Sequence, residues 1–253
     1  NYWGWPVYTE FLHHYPKHEN ITNTQDSYIH HTFLDLEESA HSHNTSCTTG
    51  FPKVIDIPSF VDFMIMAEFS SNADVYHLST FFHKDRCGKL RAGPIWDYNL
   101  AFGYDAFGDR SRYDVWQFDN GDNVGPRFWK DLFDTDEFRC HLAKRWFELT
   151  EDGMPLDYER ICSRMGEIDA LIAEAVARDN QRWNQMPQHA QCVNDMKDWI
   201  QQRINWLNQN IGSSQGCDEF DLPPLVISKI HYHPQDWWSI DGNRLEFIEI
   251  TNN

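Results

Sequence analysis

Basic residues are in short supply. The 253-residue chain carries 21 Lys and Arg against 39 Asp and Glu, a net charge of −18. Neutralising a phosphate backbone needs clustered cations, so a broad nucleic-acid-binding face is excluded, and basic proteins or metal cations are better partners. A long apolar run is also missing. The most apolar stretch, residues 60–69, is interrupted by Asp62 and Glu68 and falls well short of the roughly 18 apolar residues of a membrane span. The six cysteines form no Cys-x-x-Cys pair, which argues against a zinc knuckle or a thioredoxin-like site and leaves disulfides open. The chain has no initiating Met and no charged-then-apolar leader, and it stops inside a strand-like run, so the expectation is a piece of a longer protein. Aromatic residues, by contrast, are plentiful: 11 Trp, 10 Tyr and 17 Phe bring large buried areas and make a substantial core feasible.

Residues 1–50 read as loop-like and rich in His, with one helix over 24–40, where Ile29, Phe33, Leu36 and Ala40 recur at helical spacing. His41 and His43 flank Ser42, but no His and carboxylate fall at a repeating ligand interval, so plain packing is the better reading there. A second helix is expected over 58–71 with Ser59 as N-cap. Strand-like runs at 80–84 and 89–95, joined by the turn-prone Asp85-Arg86-Cys87-Gly88, read as a hairpin. The second half predicts helices over 128–133, 138–149, 158–183 and 193–211, their apolar stripes assigned to core, with Gly212 at a left-handed C-cap. The Gly/Pro-rich stretch 213–224 reads as a linker between a first domain over 1–212 and an incomplete β domain over 225–253.

Two acidic residues close successive elements: Asp74 follows the second helix and Asp97 follows the hairpin. Phosphoryl transfer with Mg²⁺ needs one carboxylate to orient the accepting hydroxyl and another to hold the metal on the nucleotide phosphates. Protein kinases place these on a catalytic loop and after a short β-hairpin, in this order. Five positions after Asp74 stands Ser79, an oxygen ligand of weaker charge than a carboxylate; Asn99 offers another oxygen two positions after Asp97. A hard cation suits such an all-oxygen set. Spacing alone equally allows Asp74 to close a turn and Asp97 to be one of 39 acidic residues on a solvated face.

The run Gly93-Pro94-Ile95-Trp96-Asp97-Tyr98-Asn99-Leu100-Ala101-Phe102-Gly103 resembles the metal-binding turn of the spore-coat CotH kinase family. Further words in the same order extend the resemblance over roughly residues 10–211: Tyr15-Pro16-Lys17, Val54-Ile55-Asp56-Ile57-Pro58, Ser71-Asn72-Ala73-Asp74, Phe128-Trp129 and Arg145-Trp146. The resemblance implies an α+β, atypical protein-kinase-like fold, with a mostly helical C-terminal lobe and a β-hairpin at the active site. It implies transfer of phosphate from ATP, with Mg²⁺ or another divalent cation, to serines of secreted, coat or surface proteins, the substrate being Ser-rich and basic.

Under that resemblance Asp74 matches the catalytic Asp and Asp97 the metal-binding Asp. Asn99 stands where some members have a second Asp, and Ser79 where typical members have Asn. A preceding β lobe carrying a phosphate-contacting basic residue is expected outside the sequence, so residues 1–253 alone are expected to be inactive. The words Val226-Ile227-Ser228-Lys229-Ile230 and Glu246-Phe247-Ile248-Glu249-Ile250 are similar to the opening strands of a lamin-tail domain, an immunoglobulin-like β sandwich. Such a domain, with six cysteines, points to the cell exterior or surface. The competing expectation is a non-catalytic surface or adhesion module that keeps the kinase-like fold.

Overall fold

In a computed structural model, residues 2–3, 9–104, 108–120, 125–184, 188–215, 225–231, 241 and 246–252 are described. The chain divides into two compact units, Asn1–Ser214 and Gln215–Asn253. The first unit contains α1 (Asn23–His41), α2 (Phe51–Val54), α3 (Ile57–Ser70), α4 (Phe128–Phe133), α5 (Asp136–Thr150), α6 (Tyr158–Trp183) and α7 (His189–Asn210). It also holds two small antiparallel pairs, β1 (Tyr2–Trp3) with β2 (Thr9–Glu10), and β3 (Phe82–His83) with β4 (Arg91–Ala92). The β1–β2 pair lies where the sequence reads as loop. No helix among the described residues is long and apolar enough to cross a membrane.

The centre of the first unit is α3, with Phe60, Val61, Phe63, Met64, Ile65 and Ala67 all buried. A helix apolar on nearly every side must be surrounded, and α3 packs against α5, β4 and α7. Trp129 of α4 is fully buried beside it, stacked on Phe63 at 5.3 Å between ring centroids and 5.0 Å from Tyr76. The helix begins one residue earlier than expected. Asp56, not Ser59, is its N-cap, its carboxylate accepting from the Ser59 N–H at 3.0 Å. Pro58 has no N–H and a preset φ, so it is accommodated within the first turn and the cap falls before it.

The hairpin is shorter than the sequence suggests. Only Phe82–His83 pairs with Arg91–Ala92. The arm before β4 is drawn to the entry of α3 instead: Asp56 N–H donates to Leu90 O at 2.8 Å, Leu90 N–H donates to Val54 O at 2.9 Å, and Arg91 pairs with Asp56 at 3.0 Å. From there residues 90–102 run beside α3 in its own direction, since backbone bonds at Ala73 N–H to Leu100 O (2.8 Å) and Phe102 N–H to Ser70 O (2.7 Å) fasten their far end to the exit of the helix.

Helices α4 and α6 have the bounds the periodicity predicts, and α5 and α7 begin two and four residues earlier. The stripe of α7 is core only from Ile200 onward, through Ile204, Leu207 and Ile211, while Met196 is exposed. The assignment of the α6 stripe to core holds only at its start: Tyr158, Ile161 and Met165 pack partly buried against the core, but no residue of the helix is fully buried and Leu171 is 83% exposed. Beyond its start its partner is α7, and two helices alone cannot enclose a face. Gly212 has φ +113°, and a Cβ there would meet Arg139 Nε at 3.0 Å. Arg139 itself caps α7, donating to Ile211 O and Asn210 O.

In the second unit β5 (Leu225–His231) pairs antiparallel with β6 (Phe247–Asn252), with a register shift between Ile227 and Lys229. Cys140 of α5 is disulfide-bonded, and Cys47, Cys87, Cys162 and Cys192 are free thiols. His41 pairs with Asp131 of α4 at 3.3 Å, an ordinary packing contact.

Candidate active site

The candidate site is built where α3 ends. Ser71 caps the helix in the left-handed region at φ 46° and ψ 48°, which turns the chain sharply and presents residues 72–74 to the segment running alongside. Four more non-glycine residues in this neighbourhood have positive φ: Tyr76 (68°), Ser79 (47°), Asp97 (65°) and Phe102 (54°). Left-handed backbone costs a non-glycine residue roughly 1–2 kcal/mol, so the surroundings must hold these turns in place.

They do so with a ladder. Between the backbone rungs Ala73–Leu100 and Phe102–Ser70 lies Asn72, whose side chain is fully buried. Its Nδ2 donates to the Asp97 carbonyl at 3.1 Å, and its Oδ1 accepts from the Asp74 N–H at 3.1 Å. The motif around Asp97 thus splits by role. Leu100 and Ala101 are buried and Phe102 packs edge-on against Phe69 and Trp199, whereas Trp96, Asp97 and Asn99 face solvent.

Of the four residues singled out by sequence, Ser79 and Asp97 are brought into contact, Ser79 Oγ donating to Asp97 Oδ2 at 3.3 Å. Asp74 is half-buried on the adjoining turn, its carboxylate without a hydrogen bond among the described residues. Asn99 is exposed, and its side chain makes no hydrogen bond to Asp97 or Ser79. Among the described residues no three His, Cys, Asp or Glu converge on a metal position. Asp97 with the Ser79 hydroxyl, and Asn99 nearby in sequence, is a sparse all-oxygen set. That fits a cation such as Mg²⁺, which is commonly bound through one or two carboxylates while substrate phosphates and water fill the rest of its shell.

Beneath the turns lies a polar network that the sequence reading does not include. Glu68, near the end of α3, is fully enclosed. Its Oε1 accepts from Tyr76 OH (3.0 Å) and Phe118 N–H (3.4 Å), and its Oε2 from Gln117 N–H (2.9 Å) and Arg203 Nη2 (3.1 Å). Arg203 of α7 also donates to Glu68 O, Tyr113 O and Val115 O. Burial raises the Glu68 carboxyl above its usual range, opposed by the Arg203 charge and these donors, and burial lowers Arg203 to about 10 against the pull of Glu68. Gln117 Nε2 donates to Ser71 Oγ at 2.8 Å and to Arg110 O at 2.6 Å, which ties the cap of α3 to the 110–117 loop. The signal for this pair was present: Glu68 interrupts the most apolar stretch, and Arg203 falls between Ile200 and Leu207 on an otherwise apolar face.

A model of the CotH kinase protein family matches residues 7–207, most of the chain. The chain belongs to that family. The match covers every element of the site, from the α3 exit through the Asp97 turn to Arg203, and identifies a kinase-type enzyme at the level of the family. It ends before β5, and the comparison gives no support to a lamin-tail domain after it. No curated protein and no solved structure matches this CotH-family chain.

Proposed function

We propose that the chain is the catalytic part of an atypical protein kinase that transfers the terminal phosphate of ATP, with Mg²⁺ or another divalent cation, to serine hydroxyls of a secreted, coat or surface protein. The observation that carries this reading is the pairing of the two acid-bearing turns, with Asp74 and Asp97 on neighbouring segments held together by backbone bonds and by the Asn72 side chain, Asp97 exposed and Asp74 half-buried.

Asp74 accepts a hydrogen bond from the serine hydroxyl and aims its oxygen at the phosphorus. As the new O–P bond forms and the bond to the leaving nucleotide oxygen breaks, the hydroxyl proton passes toward the Asp74 carboxylate. Asp97 would hold the cation, with Ser79 donating to its Oδ2 and Asn99 offering a further oxygen. A bound divalent cation would offset the negative charge of the phosphate oxygens. The net charge of −18 suits a basic, Ser-rich protein substrate. The β5–β6 pair is read as part of a lamin-tail-like domain, in keeping with a place at the cell exterior.

The test is a pair of variants in the whole gene product. Asp97→Asn should abolish Mg²⁺-dependent ATP binding in calorimetry, because it removes the one carboxylate of the cation set. Asp74→Asn should keep that binding and lower the transfer rate by about 10²–10⁴-fold, the usual contribution of a positioned general base. Unchanged binding in Asp97→Asn would remove the cation role, and full transfer in Asp74→Asn would remove the catalytic one.

A further inference from the structure

Asn72 is set apart by three features. Its side chain has no solvent exposure. Its amide uses both a donor and an acceptor on backbone of two different turns, Asp97 O and Asp74 N–H. It is also a side-chain rung among the backbone rungs at Ala73–Leu100 and Phe102–Ser70. None of these features is needed for a helix merely to stop, since the left-handed Ser71 already ends α3.

We propose that Asn72 is the positioning residue of the site: its single planar amide fixes the turn of Asp74 and the turn of Asp97 at one separation, so that hydroxyl and phosphate are presented in register. This rests on the phosphotransfer reading above. The physical argument begins at Asp97, whose φ of 65° is sparsely populated for a residue with a Cβ. In that conformation the carbonyl turns inward, where Asn72 donates to it, and the carboxylate turns outward, where Ser79 donates to Oδ2. Without the Asn72 donor, a part-buried carbonyl loses its side-chain partner and the turn can relax toward ordinary backbone. The Asp97 carboxylate would then move relative to Asp74, and a displacement of about 1 Å in such a constellation costs on the order of a hundredfold in rate.

The residue type follows from the same geometry. A donor and an acceptor on one short rigid group are needed together. Ionised Asp supplies the acceptor without the donor, Leu fills the volume with neither, and Gln is one methylene too long for an enclosed position. Asn72→Asp therefore preserves shape and the Asp74 contact while removing the Asp97 contact.

The experiment compares the whole gene product with Asn72→Asp and Asn72→Leu in three measurements. Amide hydrogen exchange on the unsubstituted protein should show the Asp74 N–H slowed at least about a hundredfold relative to an unstructured peptide, as expected for a bond to an enclosed oxygen. In Asn72→Asp, Mg²⁺ affinity in calorimetry should fall about tenfold and kcat about a hundredfold, while the peptide KM stays within a few-fold and the cooperative melt persists. Asn72→Leu should lose the Asp74 protection as well. An unprotected Asp74 amide in the unsubstituted protein would overturn the proposal without any variant. So would a folded Asn72→Asp with unchanged Mg²⁺ affinity and kcat. If the unsubstituted protein itself neither bound Mg²⁺-ATP nor transferred phosphate, the phosphotransfer reading would fall and take the positioning role with it, whereas the two preceding outcomes remove the role of Asn72 alone.

Discussion

Tyr98 lies between Asp97 and Asn99, and its phenol is buried with no hydrogen-bond partner among the described residues. Burial raises its ionisation above the normal tyrosine range, and burial together with the neighbouring Glu68 charge raises that of Tyr76 as well. A tyrosine raised in the fold contributes stability that is complete below its unfolded value of about 10 and is lost as the pH climbs through its folded value. Arg203, lowered to about 10 in the fold, works the other way over the same interval, so the two tyrosines against one arginine give a net loss of stability above pH 10. Tyr98→Phe should remove one of the two tyrosine contributions. It should also stabilise the protein near neutral pH, by about 1 kcal/mol, because an enclosed hydroxyl without a partner is removed. Denaturant titrations at pH 7 and pH 10.5 check this; a variant less stable than the parent at pH 7 would mean that the hydroxyl has a partner.

At the scale of elements, the helices of the second half were legible because their apolar residues repeat at three and four over long stretches, as in Ile200, Ile204, Leu207 and Ile211. The cap of α3 was not, because Pro58 shifts the start of the helix and Ser59 and Asp56 are both good capping types. The hairpin was overextended because residue 90 bonds to the entry of α3 instead of to the opposite arm, a contact between residues far apart in sequence. The α6 stripe has core periodicity, but periodicity reports a face and not what covers it. In the candidate site, motif and spacing single out Asp74, Asp97 and Ser79, and folding brings Ser79 against Asp97; Glu68 and Arg203 stand out in the sequence as charges on apolar faces, but their pairing, like the two contacts of Asn72, comes from long-range contacts made on folding. Two consequences are measurable. Asp56→Ala should destabilise the protein by about 1 kcal/mol through the lost cap, somewhat more if its pair with Arg91 contributes. Arg203→Met should cost about 3–5 kcal/mol because it leaves the enclosed Glu68 carboxylate without its countercharge. Pairing it with Glu68→Gln should recover part of that loss, and strict additivity of the two in chemical denaturation would contradict the coupling.

For the molecule as a whole, the aromatic cluster around Trp129 packs on the first half of α3 and, through Tyr76, meets the Glu68–Arg203 pair that ties the exit of the helix to α7 and to the 110–118 loop. The segment 90–102 is fastened to both ends of the same helix, so the turn bearing Asp97 takes its position from a deeply buried element. Such anchoring is what the proposed site, dependent on the placement of two carboxylates, requires. The most direct test of the account is transfer of label from γ-labelled ATP to a Ser/Lys/Arg-rich peptide by the whole gene product with Mg²⁺, run beside Asp74→Asn and Asp97→Asn. The account predicts labelled phosphoserine with the unsubstituted protein, none above background with either variant, and retained Mg²⁺-ATP binding in Asp74→Asn alone. Undiminished labelling by both variants, or no labelling by a folded protein that binds Mg²⁺-ATP, would contradict it.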